Sequence, residues 1–151
     1  MTSIHPFTPE QITAIEDDAI AILEALIKIP SVNYGEGKGD EIAIANFVSN
    51  YLTDLGLESE IIVTGDKRAN VVATYRGSNP NLPGLIVHGH LDVVPANAEE
   101  WSVDPFAAEI KDGCIWGRGA VDMKDMDAMI LAVIASWRRD GFIPRRNILF
   151  V

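Results

Sequence analysis

The chain has 151 residues, and its hydrophobic fraction of 48% is enough to fill the core of one ordinary domain. The formal net charge of −10 excludes a basic surface of the kind that binds nucleic acid, and we interpret the acidity mainly as a source of solubility. No run approaches the roughly 20 apolar residues that cross a bilayer, so no membrane partner is expected.

Two amphipathic helices are predicted in the first third of the chain. The first begins at Thr8, whose hydroxyl precedes a proline at the first helical position, and it ends before Pro30. The second begins at Asp40 and stops at Gly56. Apolar residues recur at helical spacing in both segments, so each helix presents one face to a core.

A hairpin, a third helix and short strands are predicted in the rest of the chain. Alternation around Asp112-Gly113 predicts a hairpin with a tight turn. The third helix is predicted over residues 121–138, with Met126 and Met129 on its buried side. Strands are expected at residues 58–63, 70–75, 85–88 and 147–151. This order predicts an α/β fold with a mixed, largely parallel sheet and helices on both faces.

Residues 86–95 bring two imidazoles and a carboxylate to the end of an apolar run. Side chains two apart in an extended segment share a face, so His88, His90 and Asp92 point to one side. We expect His90 to bind a metal, and we expect Asp92 to accept a hydrogen bond from its other ring nitrogen. His88 is expected to pack or to support the site. The alternative for His90 is a hydrogen-bonded structural histidine beside an ordinary loop aspartate.

A further carboxylate, Asp122, follows a glycine-rich turn at the predicted start of the third helix. Gly117 and Gly119 permit close backbone approach, and a helix N-terminus favours an anion. Because a carboxylate has two oxygens, Asp122 can bridge two cations, and imidazole with carboxylate suits zinc. The alternative is an acid that only caps the helix. Asp125 and Asp127 are predicted to lie on a solvated helix face.

The two motifs resemble those of the M20 family of metallopeptidases and amidohydrolases. The matching stretches are residues 90–95, His-Leu-Asp-Val-Val-Pro, and 117–124, Gly-Arg-Gly-Ala-Val-Asp-Met-Lys. The resemblance implies that His90 binds one zinc ion, that Asp122 bridges two, and that Asp92 is the catalytic-site aspartate that orients His90. It implies two Zn²⁺ in an intact site, with Co²⁺ or Mn²⁺ as substitutes. It also makes Asp122-Met123 a candidate for a non-proline cis peptide.

The resemblance implies that residues 1–151 are the N-terminal part of a catalytic metal-binding domain. The last predicted strand reaches the end of the sequence, where a functional loop normally follows a sheet strand. We therefore expect a fold truncated at its C-terminal end, without the general-base glutamate, the remaining ligands and the dimerisation domain.

The implied function is hydrolysis of peptide or N-acyl amide bonds beside a free carboxylate by a cocatalytic zinc enzyme. The substrate would be a small peptide or an N-acyl amino acid, the intact protein would be a homodimer, and this portion alone would be inactive. The alternative is a non-catalytic α/β binding or assembly domain derived from the same family.

The sequence also predicts a cytoplasmic location. Residues 1–5 lack a basic segment followed by an apolar run, so we expect no signal peptide. The single cysteine, Cys114, cannot form an intrachain disulfide, which fits a reducing compartment. We expect Cys114 to be a small buried hydrophobe.

Overall fold

The computed structural model of the protein describes residues 7–151, so the N-terminal stretch considered for a signal peptide lies outside the described residues. Three α-helices are formed in that range: α1 (Pro9–Ile27), α2 (Ile42–Asp54) and α3 (Lys124–Arg139). The strands are β1 (Asn33–Gly35), β2 (Lys38–Gly39), β3 (Ser59–Gly65), β4 (Arg68–Tyr75), β5 (Leu85–Val87), β6 (Glu109–Lys111), β7 (Cys114–Trp116) and β8 (Ile148–Phe150). Over residues 7–151 no helix combines the length and the apolar character that crossing a membrane requires.

The start of α1 is as predicted. The Thr8 side chain accepts from the Gln11 backbone N–H, and the Gln11 side chain accepts from the Thr8 N–H, which together form a capping box. The prediction for α3 was wrong in two respects. The helix begins at Lys124, so Asp122 precedes it, and Met126 and Met129 are 45% and 46% exposed. The buried stripe of α3 includes small alanines instead, which permit close packing against α1.

The main sheet has the strand order β3-β4-β8-β5. The pairs β3–β4 and β4–β8 are antiparallel, and β5–β8 is parallel. A mixed α/β fold is therefore confirmed, but within residues 7–151 the sheet is not largely parallel. The reason is local, because β3 and β4 are joined by a tight hairpin connection and such a connection requires antiparallel pairing.

The core lies on one face of this sheet. Alternate residues of β4 are buried, and side chains from all three helices join them in a single apolar cluster. On the other face Ile86 of β5 is 65% exposed. Among the described residues, side chains from all three helices pack against the buried face of β4.

The predicted hairpin is confirmed as the pair β6–β7. Asp112 and Gly113 have φ values of 53° and 74°, as a two-residue turn between twisted strands requires. Cys114, which follows this turn, is exposed. The prediction that it is buried was wrong, because the hairpin forms a separate two-stranded sheet and Cys114 is not part of the core cluster.

Candidate metal centre

The first motif lies in the loop that follows β5, and a neighbouring segment holds it in place. The Val93 N–H donates to the Ser31 carbonyl at 2.9 Å, and the Asn33 N–H donates to the Val93 carbonyl at 2.8 Å. The Asn33 side-chain amide donates to Asp92 Oδ2 at 2.6 Å. Sequence reasoning missed Asn33, because it lies in a polar loop whose spacing shows no link to Asp92.

The three predicted site residues come together. His90 Nδ1 lies 3.0 Å from the Asp92 carbonyl oxygen and 3.2 Å from Asp92 Oδ1. His90 Nε2 lies 3.1 Å from Asp122 Oδ1. His88 is exposed and lies in the wall of a neighbouring cavity. The structure thus joins His90, Asp92 and Asp122, and their roles at a metal stay predictions.

Electrostatics favour positive charge at His90. Burial alone lowers the pKa of His90, but the hydrogen bonds to Asp122 and Asp92 and the charges of both carboxylates outweigh it, so the pKa is raised. When His90 is protonated, Nε2 donates to the Asp122 carboxylate; when it is neutral with the proton on Nδ1, Nε2 is free to bind a cation.

The donor set fits a divalent cation. Two ligand atoms that each lie about 2.0–2.1 Å from a tetrahedral zinc ion are about 3.3 Å apart. The observed Nε2–Oδ1 separation of 3.1 Å is close to this value. Within residues 7–151, no group of three or more His, Cys, Asp or Glu side chains is arranged so that all could hold one metal ion. The pair therefore supplies two donors, fewer than the three protein ligands typical of catalytic zinc.

The second motif places its carboxylate through the backbone. Asp122 is 87% exposed at its side chain and contacts His90. Gly119 has a φ of +84°, and a Cβ at this position would lie 2.7 Å from Val93 Cγ1. The peptide bond Asp122-Met123 is cis, as the resemblance predicted. The close approach of Gly119 to Val93 brings the two motifs together.

Lys124 is the last residue of this motif, and sequence reasoning assigned it no role of its own. Its side chain is fully buried, and Nζ donates to the carbonyls of Leu26 and Ile29 at 2.9 Å each. Burial lowers the pKa of Lys124 to about 8. The lysine thereby ties the start of α3 to the end of α1, where helix carbonyls have no partner within the helix.

Asp127 corrects another prediction. Its side chain is only 8% exposed, although it was assigned to a solvated face. Burial raises the pKa of Asp127 to about 7. The signal was available in the sequence, because Asp127, Leu131 and Ile134 are spaced as one helical stripe and both apolar members are buried.

Comparison with known proteins finds similar sequences and similar folds. Residues 86–151 match the model of peptidase family M20/M25/M40. A succinyl-diaminopimelate desuccinylase of Parvibaculum lavamentivorans is 37% identical over 127 residues, which are 83% of this chain and 31% of that protein. Over residues 86–151 the chain is thus similar to peptidase family M20/M25/M40, and over most of its length it is similar to a desuccinylase.

Solved structures show the same fold. The M20 family metallo-carboxypeptidase Sso-CP2 from Sulfolobus solfataricus superposes with a TM-score of 0.74 at 26% identity, over 89% of this chain and 30% of that one. The YXEP protein of Bacillus subtilis, described as a dinuclear metal-binding peptidase of the M20 family, has a TM-score of 0.61 at 16% identity, over 91% and 35%. The chain spans about 31% of the length of the desuccinylase it matches.

Proposed function

We propose that this chain carries the N-terminal part of the catalytic domain of a metal-dependent hydrolase. The enzyme would cleave the amide bond of a small peptide or an N-acyl amino acid beside a free carboxylate. The observation that carries this proposal is the approach of His90 Nε2 to Asp122 Oδ1 at 3.1 Å, between two motifs that are distant in the sequence. The match of residues 86–151 to the M20/M25/M40 peptidase family supports it.

The residues that would hold the metal are His90 and Asp122. We propose two Zn²⁺ ions, replaceable by Co²⁺ or Mn²⁺, with the exposed Asp122 carboxylate shared between them. Bound divalent cations would polarise the scissile carbonyl and lower the pKa of water. Further donors would have to come from outside the described residues.

The chain's own residues orient this pair. Asp92 receives the Nδ1 proton of His90, which leaves the Nε2 lone pair directed at the side where Asp122 lies. Asn33 donates to the second oxygen of Asp92 and so holds that carboxylate in place. A cleft of about 210 Å³, lined by His90, Asp122 and Arg118 among others, adjoins the pair and can admit part of a small substrate.

The same proposal covers the organisation of the protein. We assign residues 1–151 to one part of the catalytic domain, and we expect no activity from this part alone because two donors hold a metal weakly. We propose a homodimer for the protein of relatives' length. A cytoplasmic location is proposed because the free, exposed thiol of Cys114 suits a reducing compartment.

The test compares the 151-residue chain with the product of the complete gene that encodes it. Hydrolysis of a panel of N-acyl amino acids and dipeptides is measured with Zn²⁺, with Co²⁺ and after dialysis against EDTA. We expect activity only in the complete product, loss in EDTA, and a loss of at least about 100-fold in His90→Ala. Activity that survives EDTA or the His90→Ala change would refute the metal-dependent hydrolase, and a complete product without any activity would favour a binding or assembly role.

A further inference from the structure

Asp127 is unusual because its carboxylate is buried beside the apolar core. It lies in the first turn of α3 and is more than nine-tenths buried. Its Oδ2 atom has no hydrogen-bond partner among the described residues. A buried polar atom without a partner carries a desolvation cost, so its presence calls for an explanation other than packing.

The Asp127 carboxylate lies directly against the loop that carries His90. A Cβ on Gly89 would fall 2.0 Å from Asp127 Oδ1, so only a glycine leaves room for the carboxylate at this point. Gly89 stands between His88 and His90, and its own N–H is already bonded to the Val151 carbonyl at 3.0 Å. The carboxylate therefore packs on the backbone of Gly89 and receives no hydrogen bond from its N–H.

Asp127 lies near two groups that can carry positive charge, His90 and Lys124. Asp127 lines a cavity of about 190 Å³ together with His90 and Asp92. Burial and the charge of Asp125 raise the pKa of Asp127, whereas the nearby charges of His90 and Lys124 lower it. A divalent cation at His90 would favour the ionised carboxylate by attraction, and a neutral side chain of the same shape would lack this attraction.

We propose that Asp127 is a positioning residue. It supports the His88–His90 turn by packing against Gly89, and its negative charge attracts a divalent cation bound by His90 and Asp122. This inference rests on the proposed function. Asp127 would not contact the cation directly, and its charge would reach the cation past the backbone of Gly89. Mutation of groups that contact or hydrogen-bond the ligands of a metal commonly weakens metal binding by about 10- to 100-fold.

The experiment is a Co²⁺ titration of the complete gene product, followed by the visible absorption of the bound ion and by calorimetry. Asp127→Asn keeps the shape and removes the charge. We expect its Co²⁺ dissociation constant to rise at least tenfold, with a midpoint of urea unfolding in EDTA equal to or above that of the wild type. Asp125→Asn is the matched control, because it removes the same charge from the same helical turn and does not line the cavity. We expect a change below threefold for it.

The outcomes separate this inference from the proposed function. A change below threefold in Asp127→Asn, or equal weakening in Asp125→Asn, would overturn the role of Asp127 while His90→Ala still abolishes binding. Failure of the wild type to bind Co²⁺, or unchanged binding in His90→Ala and Asp122→Ala, would overturn the proposed metal centre and the inference together.

Discussion

The two metal motifs are held in different ways. His90 and Asp92 are 42% and 26% exposed at their side chains, and hydrogen bonds from residues 31–33 fix their loop. Asp122 is 87% exposed, and its position comes from the turn at Gly119 and the start of α3. His90 is thus oriented by hydrogen bonds to its side chain, whereas Asp122 is placed by the backbone that carries it.

His90 and Asp122 should therefore be sensitive to different kinds of mutation. The imidazole of His90 is oriented before a cation arrives, because Asp92 engages Nδ1. The exposed carboxylate of Asp122 would be free to adjust to the proposed cations. We therefore expect the first motif to be sensitive to loss of side-chain hydrogen bonds and the second to be sensitive to changes in backbone placement.

The largest expected effect comes from the buried lysine that anchors the second motif. Lys124→Met keeps the aliphatic stem but leaves the Leu26 and Ile29 carbonyls without their donor. The Leu26 carbonyl keeps the Ile29 N–H as a partner. Each hydrogen bond from the charged Nζ contributes about 1.5–3 kcal/mol, so we expect about 4 kcal/mol less stability in urea unfolding when both are lost. Lys28→Met is the control, because Lys28 is 54% exposed and its ion pair with Glu24 contributes about 0.5 kcal/mol or less. Equal losses in the two variants would contradict the anchoring role.

The next effect concerns the pH dependence of stability of the metal-free protein. The pKa of Asp127 is raised from 3.8 to about 7 by burial, so the folded state binds its proton more tightly than the unfolded state does. Its contribution is therefore fully present below about pH 4 and is lost as pH rises through about 7. Three pKa units correspond to at most about 4 kcal/mol, and we expect about 3 kcal/mol.

The Asp127→Asn variant makes this effect measurable. It lacks the titrating group, so its free energy of unfolding should fall less than that of the wild type between pH 4 and pH 8. At pH 8 the variant should be the more stable protein, by about 3 kcal/mol. Urea unfolding in EDTA at each pH provides the measurement, and parallel pH profiles for the two proteins would show that Asp127 is not buried as described.

These cases show what could be predicted from the sequence. The site pair His90 and Asp122 was found because strand alternation, a glycine-rich turn and a family resemblance pointed to the same two motifs. Asp127 was misassigned because its charge was weighed above its place on the apolar stripe with Leu131. Asn33 and Ser31 could not be found, because their link to the loop after β5 depends on a tertiary contact between segments about 60 residues apart.

The sheet illustrates the same limit. Short apolar runs gave the strands but not the direction of pairing, since direction depends on which strands become neighbours. The placement of β8 between β4 and β5 made one pair antiparallel and the other parallel.

A smaller effect is expected from the turn of the second motif. Gly119→Ala puts a Cβ on a residue with φ of +84° and 2.7 Å from Val93 Cγ1. Gly113→Ala is a matched control, because Gly113 has a φ of +74° and no atom within 4 Å of a Cβ. The left-handed backbone costs about 1 kcal/mol in both, and the contact with Val93 should bring the loss for Gly119→Ala to about 2 kcal/mol. Co²⁺ affinity should fall only in Gly119→Ala, and an equal fall in Gly113→Ala would exclude motif placement as the cause.

The smallest loss of stability is expected from a mutation of Asn33, which supports the first motif. Asn33→Ala removes the donor to Asp92 Oδ2 and also the acceptor for the Gly35 N–H at 2.9 Å. Asn79→Ala is the matched control, because Asn79 accepts from the Asn81 N–H in the same way at 3.1 Å and lies outside the site. Since a partly exposed hydrogen bond contributes about 1 kcal/mol, urea unfolding should show Asn33→Ala about 1 kcal/mol below the control. Co²⁺ binding should weaken about tenfold in Asn33→Ala alone, because Asp92 then orients His90 less firmly. If both variants bind Co²⁺ like the wild type, the first motif keeps its geometry without Asn33, and the contrast between side-chain and backbone placement fails at this residue.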